Sequence, residues 1–243
     1  MSLPLFLVES LPAVDEWVLD GAEGHHAANV QRLGAGEELI LADGRGGTAI
    51  AVVVAPGKGN LKIKIRSRGY EESADPRLVV VQGLPKGDRG ELAVQAMTEV
   101  GVDEIIPWSA SRSVTVWKGE RAGRARDKWA STAREAAKQA RRAWLPEVAP
   151  GALNTGRVAE RLRGGAAAFV LHEEATERLS TVPLPSAGEI LLVVGPEGGI
   201  APAELDAFVE AGGRTVRLGD QVLRTSTAGV AALSVLSTRL GRW

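Results

Sequence analysis

Five short runs in the last two thirds of this chain, Leu78–Val81, Glu104–Ile106, Ala167–Leu171, Ile190–Val194 and Thr215–Leu218, are largely apolar on consecutive rather than alternate residues. A strand presents successive side chains to opposite faces, so such runs need cover on both sides. The stretches between them have helical periodicity. Together these patterns predict an α/β fold, a mostly parallel sheet flanked by helices.

Before residue 72 the pattern is different. Leu5–Val8, Glu37–Leu41, Thr48–Val54 and Leu61–Arg66 read as strands, with an Asp43-Gly44 turn and the pair Gly46-Gly47 between the second and third. This predicts a small β-barrel or sandwich over residues 1–72 and a second domain over 73–243, joined through the polar stretch Gly69 to Arg77. In the second domain, Asp88 and Glu91 form a capping-box pair ahead of a helix striped by Leu92, Ala96 and Val100. A helix from about Asp127 to Trp144 places Trp129, Ala133, Ala136, Ala140 and Ala143 on one face. A third follows Pro202 and stops at Gly212-Gly213, and a last runs from about Thr227 to Leu240.

Composition narrows the chemistry. Without cysteine, the chain can have no disulfide, thiolate nucleophile or cysteine-held metal. His25, His26 and His172 are too scattered to form a metal site, so none is expected. The opening residues have no basic leader and soon acquire Glu9 and Asp15, and no apolar run reaches the length of a membrane span; a cytoplasmic protein is expected, with no membrane partner. The net charge of −1 conceals segregation, because Arg112 to Arg142 holds ten basic residues against three acidic ones. Such a stretch repels itself without a polyanion nearby, which favours RNA. Trp117, Trp129 and Trp144 are interleaved with it and are expected to pack the core.

Two segments bear on ligand binding. Leu191 to Glu204 runs from a buried strand through Gly195-Pro196-Glu197-Gly198-Gly199 into a helix, a layout that lets a ligand lie against bare backbone; a tight turn with no ligand is the alternative. The spacing is not that of a dinucleotide fingerprint. Val216 to Gly229 repeats the pattern, with Leu218 and Gly219 at the strand end and Thr225, Ser226 or Thr227 available to cap the next helix. Arg224, between Leu223 and Thr225, looks buried and in need of a partner, either a structural ion pair or a ligand.

A GPEGG turn followed by LGxxxLRTxTA before a closing helix resembles the SPOUT superfamily, and within it the RsmE family of 16S ribosomal RNA (uracil-N3) methyltransferases. His25-His26 with Arg32, Asp43 to Gly47, Leu84 to Arg89 with Gln95 and Glu99, and Glu135 to Gln139 leading to Arg142 and Pro146 carry the same resemblance along the chain. It implies a PUA-like RNA-binding barrel, then a SPOUT domain with a trefoil knot, working as a homodimer. Its cofactor would be S-adenosylmethionine, held by Leu171, His172, Glu173, the residues from Gly195 to Gly199, Leu218, Gly219, and Leu223 to Ala228. Its partner would be 16S ribosomal RNA of the small subunit, contacted by His25, His26, Arg32, Arg45, Lys86, Arg89, Arg112, Lys138 and Arg141. Arg142 and Arg224 would be the catalytic guanidiniums, while the general base is not identified. Ser226 stands where the family usually has glutamate, so an RNA-binding assembly factor with little catalysis stays open, as does ribose 2′-O-methylation.

Overall fold

The computed structural model describes residues 3–243 as two compact units, Met1–Ser73 with Ala137–Leu145, and Ala74–Ala136 with Pro146–Trp243. The sequence reading gives Ala137–Leu145 to the second domain, but by its packing this segment joins the first.

In the first unit, β1 (Leu5–Leu7), β2 (Glu16–Leu19), β3 (Glu38–Ala42), β4 (Gly47–Pro56) and β5 (Leu61–Tyr70) form one sheet in the order β1-β3-β4-β5-β2. Only β1 and β3 pair in parallel. Alternation dictates the core: Leu61, Ile63 and Ile65 point inward while Lys62, Lys64 and Arg66 face solvent. The sequence reading misses β2, whose exposed Glu16 and Val18 blur its period. It also misses α1 (Gly21–His25), which continues as a π-helical turn over His26–Val30.

Ala137–Leu145 docks on the Asp43–Gly47 turn. Gly46 N donates to Ala143 O at 3.1 Å and Leu145 N to Gly44 O at 3.0 Å, while Asp43 Oδ1 accepts from Arg45 N and Gly47 N. Gly46 has φ +93°, and a β-carbon there would lie 2.5 Å from Glu71 O and 2.8 Å from Trp144 Nε1. Only glycine fits. Trp144 Nε1 donates to Glu71 O at 2.7 Å, so this tryptophan seals the turn.

In the second unit, β6 (Arg77–Gly83), β7 (Glu104–Trp108), β8 (Glu147–Val148), β9 (Ala167–Leu171), β10 (Glu189–Val194) and β11 (Arg214–Val216) make a wholly parallel sheet ordered β11-β9-β10-β6-β7-β8. Odd and even strand residues feed separate cores. Leu78, Val80, Ile190 and Leu192 pack with Met97 of α2 (Arg89–Glu99), with Trp129 of α3 (Glu120–Gln139) and with Leu233 and Leu236 of α6 (Thr225–Arg239). Val79, Val81, Leu191 and Val193 pack with Val158 and Leu162 of α4 (Thr155–Arg163) and Phe208 of α5 (Pro202–Glu210).

Several details differ from expectation. The buried stripe of α2 is Ala93, Val94 and Met97, and Leu92 is 53% exposed; Asp88 flanks the helix but makes no side-chain cap. Helix α3 begins seven residues before the expected Asp127 and stops at Gln139, so Ala140 lies beyond it and is exposed. Strand β8 and helix α4 are not anticipated, although Asn154 caps α4 by accepting from Arg157 N at 2.9 Å.

Two ion pairs yield stability predictions. Lys138, assigned to the RNA surface by the sequence reading, is instead buried, its Nζ 2.9 Å from Glu23 Oε1 with side chains 6% and 15% exposed. Removing one partner breaks a buried charged contact, so Lys138→Ala should cost about 3 kcal/mol in urea unfolding. A loss below about 0.5 kcal/mol, the range of ordinary surface changes, would contradict that burial. At the amino ends of the parallel strands, Arg161 lies 2.6 Å from Glu189 and 3.1 Å from Glu104. The hydrogen bond from Arg161, backed by its charge and that of Arg77, holds the Glu189 carboxyl below its ordinary range despite partial burial. A depressed carboxyl stabilises the fold above its unfolded pKa and ceases to do so as pH falls through its folded value. Glu189→Gln should therefore flatten the acid side of a stability-versus-pH curve, measured by urea midpoints.

Candidate active site

All six strands of the second sheet run the same way, so the loops leaving β9, β10 and β11, which are neighbours, open at one edge. A cavity of about 810 Å³ lies there. Leu171, His172 and Glu173 follow β9 along one wall, and Gly195 to Gly199 follow β10 along another. The segment after β11 supplies Leu218, Gly219 and Leu223, and the start of α6 adds Arg224, Thr225 and Ala228. The structure thus gathers around one space most of the residues that the sequence reading assigns to the cofactor.

The glycine turn is held from both sides. Gly199 N donates to Pro196 O at 2.9 Å, and Gly199 has φ +73°, which disfavours any β-branched side chain. Glu197 Oε1 accepts from Lys86 N at 3.1 Å and from Arg89 Nη1 at 3.3 Å. Arg112 Nη1 donates to Gly198 O at 3.2 Å. Arg89 and Arg112, singled out from the sequence as RNA contacts, therefore also line this cavity. The loop carrying Arg112 is fixed in turn by Glu204, buried on α5, whose Oε1 accepts from Ser111 N at 2.8 Å and Thr155 Oγ1 at 2.9 Å.

Thr225 joins three elements. Its hydroxyl donates to Gly195 O at 2.7 Å and accepts from Gln82 Nε2 at 2.9 Å, with Gln82 wholly buried near the end of β6. By contrast, the backbone N–H groups of Leu218 to Leu223 donate to no acceptor among the described residues. A row of uncommitted donors beside a cavity is what the edge of a polar ring requires.

Four expectations need correction. Arg224 is exposed rather than buried, lines the cavity, and has no ion-pair partner among the described residues; its backbone caps α6, with Thr227 N and Ala228 N donating to its carbonyl. Ser226 is 4% exposed and absent from the lining. Thr227 also stands outside it, its hydroxyl donating to Arg224 O. Arg142 is half-buried in the first unit and does not line the cavity.

The remaining positively charged and histidine candidates are on the surface or near it. His25 is exposed and accepts through Nδ1 from Asn29 at 3.0 Å, while half-buried His26 meets Phe6 edge to face at 6.0 Å. Arg32 and Arg141 have φ of 56° and 55°, and both are exposed, as are Arg45 and Lys86. The sequence reading misses Glu174, Asp206 and Arg217, which line the cavity. Asp206 lay within the expected third helix, but nothing in its spacing marked which face would turn to a ligand. Among the described residues no helix is long and apolar enough to cross a membrane.

Comparison with known proteins agrees with this geometry. An RNA methyltransferase domain family matches residues 71–237, and an RNA methyltransferase PUA domain family matches residues 19–66. A ribosomal RNA small subunit methyltransferase E from Mycobacterium bovis is 46% identical over 244 residues, spanning 98% of this chain and 93% of that protein. The Bacillus subtilis protein of the same name is 32% identical over 227 residues, covering 90% of this chain and 88% of its own length. Among solved structures, a ribosomal RNA small subunit methyltransferase E from Neisseria gonorrhoeae, bound to S-adenosyl methionine, superposes with a TM-score of 0.87 at 25% identity over 98% of both chains. With an amino-terminal PUA match, a carboxyl-terminal methyltransferase match and near full-length similarity to those enzymes, the chain belongs to the RsmE family of RNA methyltransferases.

Proposed function

We propose that this chain is an S-adenosylmethionine-dependent methyltransferase that methylates N3 of a uridine in 16S ribosomal RNA, acting in the cytoplasm as a homodimer. The carrying observation is the cavity at the carboxyl ends of three adjacent parallel strands, with a glycine turn on one side and uncommitted backbone donors on another. Its residues suit the cofactor. Leu171, Val194, Leu218, Leu223 and Ala228 offer an apolar bed for a flat ring, and the N–H groups from Leu218 to Leu223 can meet the ring's edge. Glu173, Glu174 and Asp206 place carboxylates in the lining, complementary to a cationic ligand. The similar Neisseria gonorrhoeae enzyme, solved with S-adenosyl methionine, supports the same reading.

When bound, S-adenosylmethionine supplies an electrophilic methyl carbon on a positively charged sulfur. The protein must bring uridine N3 in line with that carbon and help the base lose its N3 proton. Arg224, exposed in the lining and without an ion-pair partner, is the guanidinium we assign to a uracil carbonyl, where it offsets the negative charge that develops. Arg142 is a second candidate, on the family resemblance alone. Because N3 lies on the pairing edge, the base must be unpaired or turned out of its stack.

Phosphate contacts are assigned to His25, Arg32, Arg45 and Arg141 of the first unit and to Lys86, Arg89 and Arg112 of the second. Val222 and Trp243, 77% and 64% exposed near the two ends of α6, support a further apolar contact, which we assign to the second subunit. The threaded chain end is carried from the resemblance, and Thr225 bonding near the ends of β6 and β10 is consistent with it. Ser226 gives no reason to prefer a non-catalytic assembly factor, because a side chain outside the lining removes nothing from the cavity wall.

Calorimetry with S-adenosylmethionine tests the core of this reading: well-folded protein with no detectable binding would end it. Methyl transfer to small ribosomal subunits lacking the modification, with the modified atom mapped by mass spectrometry, separates N3 from ribose 2′-O chemistry. Gly199→Val forces a β-branched residue into a left-handed conformation and should lower donor affinity about tenfold, which corresponds to about 1.4 kcal/mol of lost binding. Arg224→Ala should instead reduce turnover by about a hundredfold or more with donor affinity nearly intact. The same assay on Arg142→Ala decides its role, a normal rate removing it from the chemistry.

A further inference from the structure

A second cavity of about 250 Å³ opens in the methyltransferase unit. Two stretches of chain contribute to both it and the donor cavity, through different residues. Gly87 and Gly90 line it while Arg89 between them lines the larger one, and Thr115 lines it three residues after Arg112, which lines the other. Its remaining walls are mixed: Leu84, Pro85, Val116 and Ala125 are apolar, Trp117 and Trp129 meet edge to face at 5.0 Å, and Glu91 and Arg121 add one charge of each sign. Gly90 lets Trp129 press on bare backbone, a β-carbon there falling 2.8 Å from the indole ring.

A packing void would be lined by apolar groups alone. This one presents a half-buried indole, a carboxylate and an exposed guanidinium. Glu91 pairs with Lys128 at 3.0 Å yet remains 23% exposed, and Arg121 has no ion-pair partner among the described residues. Lys118, Arg121 and Arg124 are all exposed and form no ion pair among the described residues, and together they offer a cationic track for phosphates. A flat ligand that donates to a carboxylate, accepts from a guanidinium and is tethered to phosphate has the chemistry of a nucleobase in a strand. Guanine fits best, because its N1 and amino hydrogens can donate while O6 and N7 accept.

We propose that this cavity is a nucleobase subsite that receives a guanine flanking the target uridine in the RNA strand. This rests on the function proposed above. The test uses full-length protein and a single-stranded RNA carrying the target uridine, with binding read by fluorescence anisotropy at fixed salt. Trp117→Leu keeps apolar bulk but removes the stacking face, and should weaken RNA binding about tenfold, within the range of one lost base stack. Trp117→Phe should restore most of it, donor affinity should stay at the wild-type value in both, and both should remain folded at the assay temperature although their urea midpoints fall with the lost packing on Trp129. Replacing guanines one at a time by inosine should reveal one position where wild-type protein binds more weakly, and Glu91→Gln should erase that preference. RNA binding by Trp117→Leu equal to wild type, no guanine preference at any position, or tight binding of free guanosine monophosphate without any effect of the variants on RNA would each overturn the subsite. If wild-type protein binds donor and transfers methyl while these variants behave normally, the subsite alone fails; if it does neither, the parent reading fails.

Discussion

The hydroxyl of Thr225 sits where three distant stretches of chain meet. Donating to Gly195 O and accepting from Gln82 Nε2, it fixes the start of α6 to the glycine turn after β10 and to the end of β6. The bond from Gln82 is buried, so leaving it unmade would cost the desolvation of its partner. The cavity's shape depends on them. Were α6 to begin a residue earlier or later, Thr225 would turn away and both the carbonyl of Gly195 and the amide of Gln82 would be left without their partner.

Around that fixed point the polar groups divide into two kinds. Glu204, Glu197, Arg89 and Arg112 spend their hydrogen bonds on the loops themselves, holding the glycine turn open and the Arg112 loop against it. Arg224 and the backbone donors from Leu218 to Leu223 are uncommitted among the described residues. Such a site anchors its loops through some polar groups and leaves others in the lining for a ligand to use. The opposite, amino-terminal edge of the sheet has the reverse character. There Arg161, Glu189, Glu104 and Arg77 neutralise one another, which suits an edge with a purely structural task.

Much of this could be read from the residues. The doubly apolar strands fixed the sheet, and the two glycine-rich strand ends marked the cavity because backbone conformation there is a local property that the side chains declare. Faces were harder. Leu92, Ala96 and Val100 have the spacing of a core stripe, yet the neighbouring stripe of Ala93, Val94 and Met97 won, because the small residues let α2 lie close to α6, where Gly229 meets Met97. Arg224 looked buried among apolar neighbours, and only the three-dimensional path of its loop exposes it. Lys138 was indistinguishable in sequence from the other cations of its stretch. Its partner, Glu23, lies 115 residues away, and nothing local reports such a distance.

The assignment of Ala137–Leu145 to the first unit has a topological consequence. The polypeptide passes between the units three times, after Ser73, after Ala136 and after Leu145. An amino-terminal fragment ending near residue 73 would therefore lack the strip that covers its Asp43–Gly47 turn, and the remainder would carry Lys138 without the Glu23 carboxylate it meets here. Neither unit can be excised as one continuous piece of chain.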